Sequence, residues 1–331
     1  MTNNFTPSIH ENKIKLFLDQ NYSSIGKISK IENISRNSTN SLTYKISSKN
    51  GNYVLHRVND GSSYKKIERM CEILNFCTKK NIKIQKPIKN NLGLFVNNKQ
   101  KFFLTLYYNG QTFSGKKNEF IDIAQELARM HTIFRDEKIK FPFRLNQKFY
   151  NLLISPDLKR INKIINSKKK LSKIDTLFLK NSEFLYNSFN EFQSTDFSSK
   201  NYQLIHHDLH PQNVIFQNGK TSAIIDFSTM RIGSVFEDIS FTSYRFSLFR
   251  SKTINEIRTS IKLFLKEYFK ENSLSYPNNS IFHYFLNHKI LSRLSLILTK
   301  YYFYNSDLWT SDFQNHLSML KQISRNNLFD L

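Results

Sequence analysis

Cysteine, proline, glycine and tryptophan are scarce in this sequence. Its 331 residues include two cysteines, six prolines, eight glycines and one tryptophan. Two cysteines cannot build a disulfide framework, and Cys71 and Cys77 are expected to be packed free thiols, which agrees with a reducing compartment. The low glycine and proline content excludes low-complexity chains, and 39% hydrophobic residues indicate one large or two medium globular domains.

Long apolar runs are also missing. The first twenty residues include Glu11, Lys13 and Asp19 and contain no extended hydrophobic stretch. We therefore expect neither a signal peptide nor a membrane span, because either would need such a stretch. A cytoplasmic protein without a membrane partner is the prediction.

Acidic residues are outnumbered, with 26 carboxylates against 49 lysines and arginines and a net charge of +23. Such a charge raises the hypothesis of nucleic-acid binding. The excess is spread along a chain rich in Lys, Asn and Ile, and its densest run, residues 159–173, carries apolar residues at helical spacing. A solvated helix face explains that run, so nucleic acid is an unlikely partner and salt-sensitive DNA or RNA binding is kept only as a competing hypothesis. The sequence does not indicate an oligomeric state.

The candidate metal-binding and catalytic residues lie in the stretch from residue 204 to 238. Two short apolar runs flank Asn218-Gly219, which predicts a β-hairpin with a tight turn. Asn213 precedes the first strand and Asp226 follows the second, so the hairpin brings them to one open end. Their oxygens suit a hard cation such as Mg²⁺. Asp208, in the preceding loop, is left for a role other than metal binding.

The residues of this stretch resemble a known family. The run HHDLHPQN, from residue 206 to 213, resembles the H-x-D-x-x-x-x-N catalytic loop of protein kinases and of the aminoglycoside phosphotransferase and choline kinase-like family. Asp226-Phe227-Ser228 resembles the D-F-G metal-binding element. The D-L-H-P-x-N motif resembles the small-molecule branch more closely than the protein kinases. His207 stands where the family often has glycine.

The resemblance implies transfer of the γ-phosphoryl group of ATP, or GTP, to a hydroxyl of a small molecule. In that reaction Asp208 would be the catalytic base, and Asn213 and Asp226 would hold Mg²⁺. His206 would pack beneath the metal site and orient its loop, and Asp238 would accept backbone N–H groups of the same loop. Sugars, amino sugars, amino alcohols and aminoglycoside-like compounds are all compatible acceptors, and the scarcity of carboxylates favours a sugar or another neutral hydroxyl compound.

The resemblance also implies an α+β, two-lobed protein kinase-like fold. Residues 1–109 would form a nucleotide-binding lobe with a small antiparallel sheet and one main helix, and residues 110–331 a larger, mainly helical lobe. Alternating patterns predict five strands in the first lobe, at residues 27–34, 42–46, 53–58, 92–96 and 102–107. Ser62 or Ser63 is expected to cap the main helix, and His131 is expected to be a packed helix residue.

A loop at residues 36–41 lies where kinase-like folds cover the nucleotide phosphates. Its sequence resembles the G-G-x-T-N-x-x-Y element of choline kinase-like proteins, although the glycines are missing. Ser38, Thr39 and Asn40 are the candidates to hold phosphates through backbone N–H groups. An ordinary hairpin loop is the alternative.

The third strand lacks the lysine that normally pairs with the α- and β-phosphates. Arg57 is chosen as its replacement for its permanent charge, although the spacing favours His56, and strand alternation allows only one of them to face the nucleotide. Glu68 is the choice for the helix carboxylate that pairs with this cation. Tyr107 and Tyr108 are placed at the hinge whose backbone groups receive adenine.

These departures leave an alternative open. The missing loop glycines and strand lysine favour a catalytically silent, kinase-like nucleotide-binding protein. The intact set of Asp208, Asn213 and Asp226 opposes that interpretation and favours an enzyme.

Overall fold

The computed structural model describes residues 7–35, 41–58, 63–97, 102–136, 156–193, 201–307, 309–326 and 328–329. Backbone proximity divides the chain into two compact units, and the first contains Met1–Ser114 together with Gln212–Ser228. The second unit contains Gly115–Pro211 and Thr229–Leu331. The hairpin segment 212–228 thus groups with the first unit, and the division into functional lobes at residues 109 and 110 stays a prediction.

The first unit is built on an antiparallel sheet preceded by helix α1 (Pro7–Asn21). Its strands run in the order β1-β2-β3-β6-β4, and β5 pairs with β6. The strands are β1 (Ile28–Asn33), β2 (Ser41–Ser48), β3 (Gly51–Val58), β4 (Pro87–Ile88), β5 (Val96–Asn97) and β6 (Phe102–Leu106). Of the expected strand at residues 92–96 only Val96 lies in a strand, as the first residue of β5. Strand β4 was not predicted, because two residues that include a proline show no alternation.

One face of this sheet is covered by the apolar stripe of α1. Phe17 and Leu18 of α1 belong to the same buried cluster as Ile46, Leu55 and Leu104 of the sheet. Because successive strand residues point to opposite faces, the odd-numbered residues of β3 face α1. The even-numbered ones, among them residue 56, point the other way.

Helix α2 (Tyr64–Lys79) begins as predicted. Ser63 is its N-cap, and the Ser63 side chain accepts a hydrogen bond from the Lys66 N–H. Cys71 and Cys77 are buried in α2 as free thiols, which confirms that prediction.

In its described residues the second unit is mainly helical, and β7 (Tyr202–Ile205) pairs with β10 (Arg231–Ser234). Its helices are α3 (Lys117–Asp136), α4 (Leu158–Asn166), α5 (Lys173–Lys180), α6 (Ser182–Gln193), α7 (Val235–Arg250), α8 (Ile254–Glu271), α9 (Asn279–Tyr304) and α10 (Phe313–Arg325). The start of α8 is fixed by a capping box in which Thr253 and Glu256 satisfy each other's backbone N–H groups. None of the helices in the described residues is long and apolar enough to cross a membrane.

The predicted hairpin is confirmed. Strands β8 (Val214–Gln217) and β9 (Lys220–Ile224) pair through a two-residue loop in which Asn218 and Gly219 both have positive φ, +52° and +74°. Two left-handed residues in sequence are typical of the type I′ turn that suits a twisted hairpin.

Gly110 is packed against this hairpin. Its φ is +147°, and a Cβ there would lie 2.3 Å from the Phe216 carbonyl oxygen and 2.8 Å from Ile215 Cγ2. Next along the chain, Gln111 exchanges backbone hydrogen bonds with Phe216 at 3.0 and 2.8 Å. The glycine therefore permits a close approach of two backbones.

Replacing Gly110 by alanine is expected to destabilise the protein by about 2–4 kcal/mol, because the clash adds to the backbone strain. The matched control is Gly93→Ala. Gly93 also has a positive φ, +76°, but a Cβ there meets nothing within 4 Å, so only about 1 kcal/mol is expected. Denaturant unfolding of both variants measures the difference, and equal losses would show that the close approach at Gly110 is not costly.

Candidate functional site

The open end of the hairpin presents Asn213 and Asp226. The Ile225 N–H donates to the Asn213 carbonyl oxygen at 2.9 Å, which holds the two chain ends side by side. Asp226 has a left-handed backbone, with φ +62°, and its N–H donates to Oε1 of the buried Gln85 at 3.0 Å. The Ser228 hydroxyl donates to Asp226 Oδ1 at 2.6 Å. The sequence did not single out Gln85, because its contact with Asp226 joins residues 141 positions apart.

The donor chemistry at this end fits a hard divalent cation. Asp226 is solvent exposed and Asn213 is buried, and together they offer a carboxylate and an amide oxygen. Mg²⁺ usually takes one or two protein carboxylates and completes its shell with waters and substrate phosphates. The assignment of Asn213 and Asp226 as metal ligands stays a prediction that this donor set supports.

The loop that carries Asp208 follows β7 in the second unit and is fixed by Asp238. The His206 and His207 N–H groups donate to the two carboxylate oxygens of Asp238 at 2.7 and 2.6 Å. This confirms the predicted role of Asp238. His206 is fully buried, and its Nδ1 accepts the Asp208 N–H at 3.3 Å. Its role in orienting the loop stays a prediction.

Asp238 is held in turn by His131, which is fully buried in α3. The His131 ring contacts Asp238 Oδ2 through Nε2 at 3.2 Å and the Tyr268 hydroxyl through Nδ1 at 2.8 Å. Burial alone would raise the pKa of Asp238. The interactions of its carboxylate with His131 and with the loop amides outweigh this effect, so the pKa is lowered. His131 is a packed helix residue, as predicted, and it also supports the loop.

His207 adopts the conformation for which glycine is the usual residue. Its φ is +73°, which costs a residue with a Cβ about 1–2 kcal/mol. Three contacts hold it there: its N–H binds Asp238, its carbonyl oxygen accepts a hydrogen bond from Lys289, and its ring lies 3.1 Å from Glu237. The substitution of glycine by histidine in the family pattern is therefore accommodated by specific partners.

Sequence reasoning assigned neither Glu237 nor Lys289 as a partner of His207. Glu237 is buried and accepts both hydrogen bonds from Arg231 Nη2, at 2.6 and 2.7 Å. Lys289 lies in α9, four residues before Arg293. The sequence gives no local signal for its contact, because its partner lies 82 positions earlier.

Asp208 is partly exposed, with 40% of its side chain accessible. Burial by itself would raise the pKa of Asp208, but Lys289 and the neighbouring histidines outweigh it, so the pKa lies below its ordinary value. The carboxylate is therefore ionised at neutral pH, which is the form that can accept a proton from a hydroxyl.

The sheet of the first unit separates His56 from Arg57. Arg57 lies over the Phe102 ring, at 5.9 Å from its centroid, and Phe102 packs against Phe17 of α1 at 4.9 Å. His56 lies on the opposite face, where it stacks on Phe103 at 4.5 Å and its Nε2 lies 3.1 Å from the Thr105 hydroxyl. Asp226 is an electrostatic partner of His56. His56 and Arg57 lie on opposite faces of the sheet, and which of them contacts the nucleotide stays a prediction.

Burial lowers the pKa of His56 to about 4, although Asp226 acts in the opposite direction. Between pH 6.5 and 4 the unfolded chain then binds a proton that the folded chain does not, so this residue makes folding less favourable as the pH falls. Over that window we expect wild type to lose up to about 3 kcal/mol of stability relative to His56→Gln. Denaturant unfolding at several pH values measures the difference, and parallel curves for the two proteins would contradict the shift.

The remaining nucleotide-site candidates are only partly described. Ser38, Thr39 and Asn40 lie outside the described residues. The Glu68 carboxylate accepts the backbone N–H groups of Phe95 and Val96 at 2.9 to 3.2 Å. An ion pair of Glu68 with a β3 cation is not among the contacts in the described residues, and it stays a prediction.

The predicted hinge residues leave β6 with defined partners. The Tyr107 N–H donates to the Asn52 carbonyl oxygen at 3.0 Å, and Lys45 Nζ lies 4.3 Å from the Tyr107 ring centroid. The Tyr108 hydroxyl donates to the Ile84 carbonyl oxygen and accepts the Lys86 N–H, both at 3.1 Å. Adenine recognition at this segment stays a prediction.

Comparison with solved structures places the fold. A spectinomycin phosphotransferase in an AMP-bound complex superposes with a TM-score of 0.70 at 14% identity, covering 96% of each chain. An amicoumacin kinase in complex with AMP-PNP, Ca²⁺ and Ami gives a TM-score of 0.64 at 15% identity, covering 98% of this chain and 93% of that one. A choline kinase from Streptococcus pneumoniae gives 0.58 at 14% identity, covering 96% and 100%. The predicted two-lobed, kinase-like α+β fold is confirmed.

Sequence comparison gives the family. No curated protein sequence matches the chain. Residues 30–259 match the sequence profile of the phosphotransferase enzyme family, and the predicted enzyme class, a small-molecule kinase, is confirmed with it. The matched segment includes the sheet, the hairpin and the loop of Asp208, and the chain belongs to the phosphotransferase enzyme family.

Proposed function

We propose that the protein transfers the γ-phosphoryl group of ATP or GTP to a hydroxyl of a small molecule in a Mg²⁺-dependent reaction. The observation that carries the proposal is the ionised, partly exposed Asp208 on a loop whose backbone is fixed by Asp238. Similar structures hold AMP-PNP with Ca²⁺, ADP and GDP, which supports nucleotide binding. Their small-molecule ligands include spectinomycin and kanamycin, which supports a small-molecule acceptor.

In the proposed reaction each residue has a definite task. Asp208 orients the acceptor hydroxyl and accepts its proton as the new O–P bond forms, while the bond between the γ-phosphorus and the β,γ-bridging oxygen breaks and ADP or GDP leaves. Asn213 and Asp226 would hold the metal, which would neutralise charge on the nucleotide phosphates. His206 acts on this chemistry only by positioning the loop. Catalysis of this kind consists mostly of positioning and charge stabilisation.

His56 takes the place of the strand lysine in this proposal. A neutral imidazole can donate one hydrogen bond to a phosphate oxygen but supplies no net charge at neutral pH. Its lowered pKa is also the observation that favours the second candidate, a catalytically silent nucleotide-binding protein.

A cytoplasmic location also stays a prediction, which the two free cysteines support.

The test is formation of ADP or GDP by the purified full chain with Mg²⁺ and a panel of hydroxyl compounds. We expect slow hydrolysis without acceptor and acceleration by at least one member of the panel. Nucleotide binding without any turnover would favour the silent protein, and no nucleotide binding would overturn the proposal.

A further inference from the structure

The second unit places several cations around Asp208. Arg245 comes from α7, and Lys289 and Arg293 come from α9, one helical turn apart. Lys289 is tied to the catalytic loop, because its ammonium group donates to the carbonyl oxygen of His207, the residue before Asp208. The electrostatic partners of Arg245 include Asp208 and Arg293, so these groups share one neighbourhood.

Two aromatic rings hold these cations in place. The Arg245 guanidinium carbon and Lys289 Nζ lie 5.6 and 5.0 Å from the centroid of Phe241. The Arg293 guanidinium lies 4.4 Å from the centroid of Trp309. Contacts of this kind orient a cation without neutralising it, so each positive charge remains available to an anion.

Among the described residues, the carboxylates of this region act on Lys289 and Arg245 but form no close ion pair with the three cations. Glu237 is engaged by Arg231 and His207, and Asp238 by the loop amides and His131. In the described part of the chain, no carboxylate lies within 4.0 Å of Arg245, Lys289 or Arg293. The carboxylates Asp208, Glu237 and Asp238 are electrostatic partners of Lys289, and Asp208 and Asp312 are those of Arg245, without forming a close ion pair with either cation.

Burial gives this arrangement an energetic cost. Burial lowers the pKa of Lys289 and of Arg245, in each case against the effect of Asp208. Partly desolvated cations without a contacting carboxylate are unfavourable until a counter-charge arrives. A ligand anion would supply that counter-charge, whereas a cationic ligand would add to the repulsion.

We propose that the acceptor carries a carboxylate or phosphate group besides its reacting hydroxyl, and that Arg245 and Arg293 bind this group. The inference rests on the proposed function and names its substrate class. It replaces the neutral acceptor favoured by the scarcity of carboxylates, and it argues against amino alcohols and polycationic aminoglycosides.

Trp309 makes this proposal directly measurable, because it is the only tryptophan in the sequence. We would saturate the full chain with Mg²⁺ and ADP and titrate inorganic phosphate, glucuronate, glucose, glucosamine and choline while recording tryptophan fluorescence. Saturable responses are expected for phosphate and glucuronate, with glucose weaker and with glucosamine and choline weakest. The phosphate and glucuronate arms separate the two kinds of anionic group.

The variants that locate the anion are Arg245→Gln and Arg245→Lys. Loss of a charge-assisted contact should raise the Kd for glucuronate about 10- to 100-fold in Arg245→Gln, and Arg245→Lys should restore part of the affinity. Lys262→Gln, at an exposed position of α8, removes the same charge and should leave the Kd unchanged.

Three results would overturn the proposal: tighter binding of choline or glucosamine than of the anions, no saturable response to either anion, or equal Kd values in wild type and Arg245→Gln. Nucleotide binding and slow ATP hydrolysis are measured in the same preparations. If these persist while the anion fails to bind, only the acceptor class is wrong. If they are absent, the phosphotransferase proposal itself fails.

Discussion

Asp208→Asn should lower turnover about 10²- to 10⁴-fold, because the amide cannot accept the proton that the hydroxyl loses during transfer. The substitution keeps the shape of the side chain, and the loop around it is held by the backbone bonds to Asp238. Nucleotide affinity is therefore expected to remain near the wild-type value. Turnover and the Kd for Mg²⁺-ATP, measured in parallel, test both parts.

The matched control for this variant is Asp136→Asn at the end of α3. Asp136 pairs with Arg135 on the surface, and 58% of its side chain is exposed, so its loss should change neither quantity, since surface pairs contribute little. Unchanged turnover in Asp208→Asn would remove this residue from the mechanism. A fall in turnover that is matched by loss of nucleotide binding would point to a folding defect instead.

Asp226→Ala should abolish the tightening of ATP binding by Mg²⁺, since the proposed metal site loses its carboxylate. Because Asp226 has φ +62°, alanine also adds backbone strain there. Asp226→Asn is the matched variant, since asparagine tolerates the left-handed region and removes only the charge. Calorimetric titration of ATP with and without Mg²⁺ distinguishes the two effects.

Both Asp226 variants are expected to lose most of the metal dependence, and only the alanine variant should also be less stable. If Mg²⁺ still tightens ATP binding in Asp226→Asn, the carboxylate is not a metal ligand. The exposed control Asp136→Asn should bind Mg²⁺-ATP as the wild type does.

The local parts of this structure were predictable from the sequence. The hairpin follows from Asn218-Gly219 between two apolar runs, because the type I′ turn needs only residues that accept positive φ. The start of α2 follows from Ser63. The hydrogen bond that Asp238 accepts from the loop was implied by the family pattern. Each depends on few residues or on a pattern shared with known proteins.

The parts that depend on distant packing could not be predicted. Alternation showed that His56 and Arg57 face opposite sides of β3, but the choice of side depends on where α1 packs. The contact of Lys289 with the loop of Asp208 joins residues 82 positions apart. Strand β4 is too short for any pattern, and it exists only because β6 offers it an edge.

The return of residues 212–228 to the first unit has a consequence for the order of synthesis. Ile84 pairs with Ile224, and Gln111 with Phe216, so the early part of the chain offers edges whose partners are translated much later. An intervening stretch of 97 residues, from 115 to 211, leaves the ribosome before those partners do. A nascent chain ending at residue 114 therefore lacks part of its own fold, and it exposes unpaired edges of the kind that promote aggregation.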